Sequence, residues 1–407
     1  MIIITDILKR TWAEIHLDRI KNNILNIKNI LDEKTMFMAV VKADAYGHGA
    51  VPVSLMLDNM EAVNYFGVSN IEEGLQIRKA GTENYAGTDN IGNDAGVKKP
   101  ILILGYTPCE YAKEILAYNL SQTIFSFEQA KALQWTLGNK GKIKIHIKID
   151  TGMSRLGFVY NDTHIKDEIK KITKMDCFDC EGIYTHFAKA DDIGSNYTKI
   201  QYDRFVKLID ELEADGIKFK IKHAASSGAV LNFPSTHMDM VRPGLIMYGL
   251  SPNPSHEEPI ELIPAMELRT VISQIKDIEE NTFVSYDCTY KSDGVKRIAT
   301  LPIGYADGYL RALSNNGEIL INGNRASVVG RVCMDQCMID VTGIDGVKQG
   351  QEVTVFGSDE NGKTIKIDEI AKKSETINYE IICLIGKRVG RIYYEDGKKS
   401  GVLNYLV

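Results

Sequence analysis

The sequence predicts an α/β protein in which a (β/α)8 barrel of the TIM type is followed by a C-terminal, mostly β domain. Over the first 251 residues, short apolar runs rich in β-branched residues alternate with amphipathic, helix-period segments. The alternation stops near Pro252, in the polar and proline-rich stretch SPNPSHEEP. Beyond it, short strand-like runs are separated by turn dipeptides such as Asn-Gly and Asp-Gly.

Eight strand-like runs lie in the first part of the chain: residues 37–42, 65–68, 101–104, 121–125, 143–149, 180–185, 219–223 and 237–242. Helix-period segments lie between them; in one, Phe205, Leu208, Ile209 and Leu212 share a helix face. Eight strands, each near a helix, is the count of a barrel. An open doubly wound sheet gives the same alternation, and the positions of the candidate site residues below favour the barrel.

Seven strand-like runs follow the proline-rich stretch: residues 271–278, 297–302, 318–321, 326–329, 338–341, 353–356 and 388–394. We therefore assign residues 12–251 to the barrel and residues 252–407 to the β domain. Residues 1–11 are a candidate addition to the β domain. A segment rich in Gly, Asn and Asp, residues 82–99, predicts a long surface loop.

Composition argues against several classes of protein. The 407 residues carry 48 Lys and Arg against 54 Asp and Glu, a net charge of −6, whereas nucleic-acid binding needs a basic surface. No apolar run approaches the roughly 20 residues that span a bilayer. The N-terminus lacks the basic-then-apolar order of a signal peptide. We expect neither a nucleic-acid nor a membrane partner, and a cytoplasmic location.

The seven cysteines, an odd number scattered over a long chain, do not form a disulfide framework. Cys177 and Cys180 have CxxC spacing, but a zinc site needs two more ligands and a redox motif opens a helix. Cys180 instead begins a strand-like run. We interpret this pair, and the pair Cys333 and Cys337, as ordinary thiols, and we predict no metal site.

Lys42 is the first residue that points to chemistry. It ends the apolar run Met-Ala-Val-Val, and desolvation at the mouth of a buried strand lowers the pKa of an amine and makes it nucleophilic. Such an amine can bond covalently to an aldehyde cofactor. Taken alone, a lysine that extends its charged end into solvent remains an alternative.

The decapeptide VVKADAYGHG, residues 40–49, resembles the cofactor-lysine signature of the alanine racemase family. Eight further motifs resemble those of the family, in its order: KIDTGMSRLGF, YTHFAKAD, HAASSG, MVRPGLIMYGL, VSYDCTY, IGYADGY, GRVCMDQ and NYEIIC. The resemblance covers nearly the whole chain. It implies a barrel plus a β domain, pyridoxal 5'-phosphate as the cofactor, and a homodimer in which the second domain completes the partner's active site.

By this resemblance, Lys42 holds the cofactor and then moves a proton on one face of the substrate α-carbon. Tyr286 moves a proton on the opposite face. Two groups are needed, because a single base usually returns the proton to the face it came from. A tyrosine with its usual pKa of about 10 is a weak base at neutral pH, so its surroundings must favour the phenolate, with His186 and nearby arginines as expected helpers.

Arg242, within VRPG, is expected to face the pyridine nitrogen of the cofactor. A guanidinium stays protonated, so it donates a hydrogen bond but does not readily protonate the ring. This weakens the electron sink and limits side reactions. A carboxylate is expected at this place in the related barrel-type decarboxylases, so Arg242 separates the two classes.

The resemblance also assigns the remaining site residues. The phosphate and the rest of the cofactor are assigned to Tyr46, His186, Ser227, Gly244, Leu245 and Tyr379. The substrate carboxylate is assigned to Arg155 and the backbone of Met334. Supporting positions are Lys148, Tyr305, Asp191 and Arg311. Lys148 matches a lysine that the family can carbamylate. Most of the barrel residues fall at or just past the C-terminal ends of predicted strands, where barrel enzymes place their chemistry.

The expected activity is the interconversion of L-alanine and D-alanine, which supplies D-alanine for peptidoglycan. The alternatives are a broader or serine-preferring racemase, a barrel-type decarboxylase, and a pyridoxal-phosphate carrier protein. A decarboxylase would need an acidic partner for the pyridine nitrogen, which this sequence does not offer. A carrier protein has no β domain, whereas this chain has one. Discrimination at the scale of one methyl or hydroxyl is worth only about 1–3 kcal/mol, so substrate breadth stays open at the level of sequence.

Two positions depart from the family pattern. Asp287 stands where glycine is common, next to Tyr286, and adds a carboxylate there. Aspartate tolerates a positive φ better than most residues, so we expect the turn to survive. Ser226 stands where asparagine is common and changes the expected contacts at the phosphate. Neither change removes a required group.

Overall fold

The computed structural model describes residues 9–80 and 96–406. Most of the predicted loop at residues 82–99 therefore lies outside the described residues. The predicted barrel is confirmed, as eight parallel strands in a nearly closed ring. Its strands are Met36–Val40, Tyr65–Val68, Ile101–Ile103, Leu120–Ile124, Ile143–Asp150, Phe178–Tyr184, Ile221–His223 and Met240–Val241. The two-residue strand Phe158–Val159 pairs with the end of Ile143–Asp150.

The ring closes through the short last strand. Met240–Val241 pairs in parallel with the start of Met36–Val40. On its other side, the N–H of Arg242 donates to the carbonyl of Ala225 at 2.9 Å. The sequence predicted a longer last strand, from residue 237, but Pro234–Thr236 forms a 3-10 turn and Met238 has a positive φ. These residues cannot join the ladder.

Helices cover the outside of the barrel: Leu17–Lys28, Ala50–Asp58, Ile71–Arg78, Ala112–Ala117, Phe127–Leu137, Ile165–Ile172, Tyr197–Ala214 and Ser227–Asn232. In Tyr197–Ala214 the predicted apolar face is buried. Ser126 caps Phe127–Leu137 by accepting from the N–H of Gln129 at 3.1 Å. No helix in the described part of the chain is long and apolar enough to cross a bilayer.

The second region is mostly β, as predicted. Its main sheet contains, in spatial order, Asn324–Ser327, Glu318–Ile321, Glu352–Ser358, Met266–Val271, Thr11–His16, Gly390–Glu395 and Lys398–Leu403, with Thr364–Ile365 beside Glu352–Ser358. A smaller sheet contains Gln274–Ile278, Lys296–Leu301 and Cys337–Asp340, and Phe283–Val284 pairs with Tyr290–Lys291. Two helices, Ile367–Lys373 and Asn378–Cys383, complete it.

Two details differ from the sequence interpretation. Thr11–His16, placed in the barrel from residue 12 onward, lies in the main sheet of the second region, because its edges pair with Met266–Val271 and Gly390–Glu395. The single strand predicted at 271–278 is broken into Met266–Val271 and Gln274–Ile278. The two halves pair in different sheets, so the chain turns between them.

The segment after Lys42 forms a left-handed helical turn. Residues 43–46 all have φ between 52° and 56°, a conformation that is unfavourable for residues other than glycine. The second region holds this turn in place. Arg391 Nε donates to the carbonyl of Gly47 at 3.1 Å, and the hydroxyl of Tyr393 donates to the carbonyl of His48 at 2.9 Å. The position of Lys42 therefore depends on both regions.

Gly47 packs tightly against the second region. It has a φ of +80°, and a Cβ there would lie 2.1 Å from the carbonyl oxygen of Ile382. Gly216 has nearly the same φ, +82°, with nothing within 4 Å of such a Cβ. The two glycines therefore differ in packing and not in backbone conformation.

We expect Gly216→Ala to lower the free energy of unfolding by about 1–2 kcal/mol, the cost of a left-handed non-glycine residue. Gly47→Ala should lose a further 1–3 kcal/mol or so, because the added methyl overlaps the Ile382 carbonyl. Urea unfolding followed by circular dichroism measures both. Equal losses for the two variants would show that the backbone at Ile382 moves away from the added methyl with no loss of stability.

Candidate active site

A cavity of about 730 Å³ opens at the C-terminal ends of the barrel strands. Ten of the residues predicted from the sequence line it: Lys42, Tyr46, Lys148, Arg155, His186, Asp191, Ser227, Arg242, Gly244 and Tyr379. Ser226 lines it as well. Leu245 is fully buried next to Gly244. The parallel strands bring the distant barrel residues together, because all their C-terminal ends meet at one rim, and Tyr379 reaches the cavity from the helix Asn378–Cys383 of the second region.

The cavity is strongly cationic. Lys42, Lys148, Arg155 and Arg242 line it with one carboxylate, Asp191. Burial, and then the charge of Arg155, lowers the pKa of Lys42. Burial, and then the charge of Arg242, lowers the pKa of Lys148 to about 7. The site thus favours an unprotonated, nucleophilic amine and attracts anions.

Arg242 is fixed by four hydrogen bonds and lies 4% exposed. Nη2 donates to the carbonyls of Thr185 and Ala224, at 2.8 and 2.9 Å, and to Nδ1 of His186 at 3.3 Å. Nη1 donates to Nδ1 of His223 at 3.0 Å. Burial lowers the pKa of Arg242 to about 10, so the guanidinium remains a cation and a donor at neutral pH.

His186 lies beside this cation and lines the cavity. Burial first, and then the charge of Arg242, holds the pKa of His186 well below its usual value. The imidazole is therefore neutral at neutral pH, and its Nδ1 accepts from Arg242. A neutral imidazole accepts at one nitrogen and donates at the other.

A polar cradle lies where the last two barrel strands end. The hydroxyl oxygen of Ser227 accepts from the N–H of Gly244 at 3.0 Å. A Cβ on Gly244 would lie 2.5 Å from the hydroxyl of Tyr46, so glycine lets the tyrosine approach the backbone. The rings of Tyr46 and Tyr379 lie 6.2 Å apart. Burial raises the pKa of both phenols, which keeps them protonated donors.

The remaining predicted residues do not line this cavity. Tyr286, Tyr305, Arg311 and Met334 lie on the second region, and we call them the second-domain cluster. Their side chains face solvent in the single chain: Tyr286 is 68% exposed, Met334 53% and Tyr305 43%. The backbone N–H of Tyr305 donates to the carbonyl of Cys333 at 3.0 Å, which joins two of the predicted motifs.

The two departures from the family pattern are accommodated locally. Asp287 has a φ of 62°, the left-handed conformation that its position demands. Its carboxylate lies 3.4 Å from Arg331 and 3.6 Å from Arg311, so the added negative charge faces two cations. Ser226 precedes the helix Ser227–Asn232, and its backbone pairs with that of Arg242 in an isolated parallel β-bridge.

The sequence motifs assign no role to three polar residues that lie behind Arg242. Nδ1 of His223 accepts from Arg242 at 3.0 Å, Nε2 of His223 lies 2.9 Å from Nδ1 of His146, and Glu181 lies beside His146. A usable signal was present in KIHIKID, where a histidine stands in a strand predicted to be buried. Buried polar side chains need partners, so His146 could have been marked for one.

Two family models match the chain. The model described as the N-terminal domain of alanine racemase matches residues 15–252, and the model of the C-terminal domain matches residues 265–393. Together they span both regions of the structure.

Individual relatives match this chain over nearly its full length. An alanine racemase of Methanococcus maripaludis is 46% identical over 385 residues, which are 94% of this chain and 98% of that protein. Alanine racemase 1 of Caldanaerobacter subterraneus is 41% identical and covers 98% of this chain and 99% of its own. The solved structure of an alanine racemase from Clostridium difficile superposes with a TM-score of 0.91 at 39% identity, covering 99% of this chain and 100% of that one.

The buried histidines predict how stability depends on pH. His48, His146 and His223 are buried and His186 is partly buried, and desolvation lowers the pKa of each; that of His48 falls to about 4. Below the ordinary value of 6.5, the unfolded chain therefore binds protons that the folded chain does not. Stability falls as pH drops below about 6.5, by up to about 1.4 kcal/mol per pH unit for each histidine.

Urea unfolding of the cofactor-free protein from pH 8 to pH 5 measures this slope. The exposed His256 provides the control, since His256→Asn should leave the slope unchanged. A free energy of unfolding that stays constant between pH 7 and pH 5 would mean that the four imidazoles are not kept neutral by burial.

Proposed function

The chain belongs to the alanine racemase family, and we propose that it interconverts L-alanine and D-alanine with pyridoxal 5'-phosphate as its cofactor. The observation that carries the proposal is the pairing of Lys42 and Arg242 in one cavity. Lys42 is a desolvated amine, and Arg242 is a buried cation bonded to imidazoles and carbonyls. This arrangement favours a racemase over a decarboxylase, which would place a carboxylate at Arg242.

The donor set of the cavity fits the cofactor. Among the described residues, no hydrogen bond uses the hydroxyl of Tyr46 or of Tyr379, so both can donate to a phosphate. Ser227 and the backbone at Gly244 and Leu245 complete the cradle. Lys42 would hold the aldehyde carbon, and Arg242 would donate to the pyridine nitrogen. The cationic lining balances the negative charge of the phosphate.

When bound, pyridoxal phosphate supplies an electron sink that stabilises the negative charge left at the substrate α-carbon. The amine of Lys42 exchanges a proton with one face of that carbon. Because Arg242 remains protonated and donates only a hydrogen bond, it limits how much negative charge moves to the pyridine nitrogen. The charge stays near the α-carbon, which favours return of a proton there.

Tyr286 would exchange a proton with the opposite face, from a second copy of the chain. In the single chain it lies exposed outside the barrel cavity. We propose a homodimer in which the second-domain cluster of one subunit closes the cavity of the other. Arg155 and the backbone of Met334 would bind the substrate carboxylate, with Lys148 behind Arg155. Tyr305, Asp191 and Arg311 would line the entrance.

We further propose that the enzyme acts in the cytoplasm and supplies D-alanine for peptidoglycan. The membership of the family supports this role. Restored growth of a D-alanine-requiring bacterium, when it expresses this chain, would support it; growth that still requires D-alanine would contradict it.

The direct test is D-alanine formation from L-alanine by the purified protein with pyridoxal phosphate, separated by chiral chromatography, with L-serine assayed in parallel. We expect turnover of alanine to exceed that of serine. Comparable turnover of both would make the protein a broader racemase. Cofactor binding without turnover of either would overturn the racemase proposal.

The shared site can be tested by mixing two inactive variants. Lys42→Ala and Tyr286→Phe should each lower kcat by at least roughly 10²-fold, since each removes a proton-transfer group. In a mixed dimer, one site receives both substitutions and the other receives neither. With random pairing, co-expression should restore about a quarter of the wild-type activity. If dimers shown to be mixed stay inactive, the second-domain cluster does not serve the partner.

A further inference from the structure

A chain of buried polar groups, hydrogen-bonded from Arg242 through His223 to His146, leads into the barrel, away from the cavity, and ends beside Glu181. Arg242 Nη1 lies 3.0 Å from Nδ1 of His223. Nε2 of His223 lies 2.9 Å from Nδ1 of His146. Nε2 of His146 lies 3.5 Å from a carboxylate oxygen of Glu181. Both imidazoles are fully buried, and the Glu181 side chain is 12% exposed.

The donors and acceptors of this chain allow one arrangement of protons. A guanidinium only donates, so Nδ1 of His223 must accept, and a neutral His223 carries its hydrogen on Nε2. That hydrogen is donated to Nδ1 of His146. His146 then carries its own hydrogen on Nε2, directed at Glu181. Among the described residues, Nε2 of His146 makes no hydrogen bond, and the carboxylate oxygen of Glu181 at 3.5 Å is the acceptor that it faces.

The chain ends on an anion. Burial alone would raise the pKa of Glu181, but the neighbouring His146, the hydrogen bond from Tyr65 and the charge of Lys144 lower it to about 2. The hydroxyl of Tyr65 donates to one oxygen, and Nζ of Lys144 lies 3.2 Å from the other. Glu181 is therefore ionised throughout the neutral range.

Arg242 needs such an anion. Its own hydrogen bonds among the described residues go to carbonyl oxygens and imidazole nitrogens, and buried charges in proteins are normally paired. The barrel interior also leaves room for the imidazole that links the two. A Cβ on Gly182 would lie 2.3 Å from Nδ1 of His146, so a glycine there admits the ring.

We propose that His223, His146 and Glu181 are positioning residues that fix the guanidinium of Arg242 and give it a counter-charge through two neutral imidazoles. The proposal rests on the proposed function in so far as Arg242 faces the pyridine nitrogen. Its structural part, the single arrangement of protons, holds for the cofactor-free protein and can be tested without any activity.

The first measurement is nitrogen-15 NMR of the cofactor-free wild type with labelled histidine, at pH 8. The signals of His146 and His223 can be identified by their loss in His146→Gln and His223→Gln. We expect both rings to carry hydrogen on Nε2 and a bare, accepting Nδ1. Either ring with its hydrogen on Nδ1 would overturn the proposal. This result needs no variant beyond those used for assignment.

The second measurement uses Glu181→Gln, which removes the charge and keeps an acceptor for His146. We expect its Nε2 signals to shift at both histidines, and the dissociation constant for pyridoxal phosphate to rise roughly tenfold, as when a supporting partner of a site is lost. In the loaded enzyme, kcat should fall while KM for alanine stays unchanged.

Lys144→Met is the matched control. It removes the exposed ion-pair partner of the same carboxylate and leaves the chain to Arg242 intact. Unchanged cofactor affinity in Glu181→Gln, or equal losses in Lys144→Met, would overturn the proposal. An absence of racemase activity in the wild type would refute the proposed function. The nitrogen-15 signals would still show whether His146 and His223 carry their hydrogens on Nε2, as the positioning proposal requires.

Discussion

The left-handed turn after Lys42 is the constraint on which the candidate site depends. Four successive non-glycine residues adopt it, and such a conformation costs roughly 1–2 kcal/mol for each of them. Hydrogen bonds from both regions offset that cost. Glu73 accepts from the N–H of Ala43 on the barrel side, while Arg391 and Tyr393 donate from the other side. The contact between the two regions therefore helps to fix the position of the Lys42 amine.

The electrostatics of the cavity follow from where the amines and guanidinia converge. Burial, and then the charge of a neighbouring guanidinium, lowers the pKa of both lysines and of the imidazoles of His186 and His223. The histidines therefore serve as neutral hydrogen-bonding groups. The cations suit a ligand with several negative charges, such as a phosphate ester together with a carboxylate. Arg242 itself bonds only to carbonyl oxygens and imidazole nitrogens, and the counter-charge proposed for it, Glu181, lies in the barrel interior beyond His223 and His146.

The single chain divides the expected chemistry between two surfaces. The barrel cavity holds the amine, the cradle and the arginines, while Tyr286 and Met334 lie exposed on the second region. Exposed aromatic and apolar side chains grouped in this way are typical of an interface. A homodimer with shared sites, as proposed above, accounts for this exposure and for the position of Tyr286 outside the cavity.

The sequence by itself predicted the barrel, the β region and ten of the residues that line the cavity. The ten residues came from the family resemblance of the motifs, and strand order explains why Lys42 and Ser227 converge, since the C-terminal ends of parallel strands meet at one rim. The sequence also specified the family through ordered motifs. Its errors were local, as at Thr11–His16, whose pairing depends on partners more than 200 residues away.

Tertiary structure decided the contacts that depend on register and burial. The bond between Arg391 and Gly47 joins residues 344 apart, and no local pattern encodes it. The same holds for His146, His223 and Glu181, which come from three different strands. Their alignment requires inward-facing positions at matching heights in the closed barrel, and only the folded ring sets those heights.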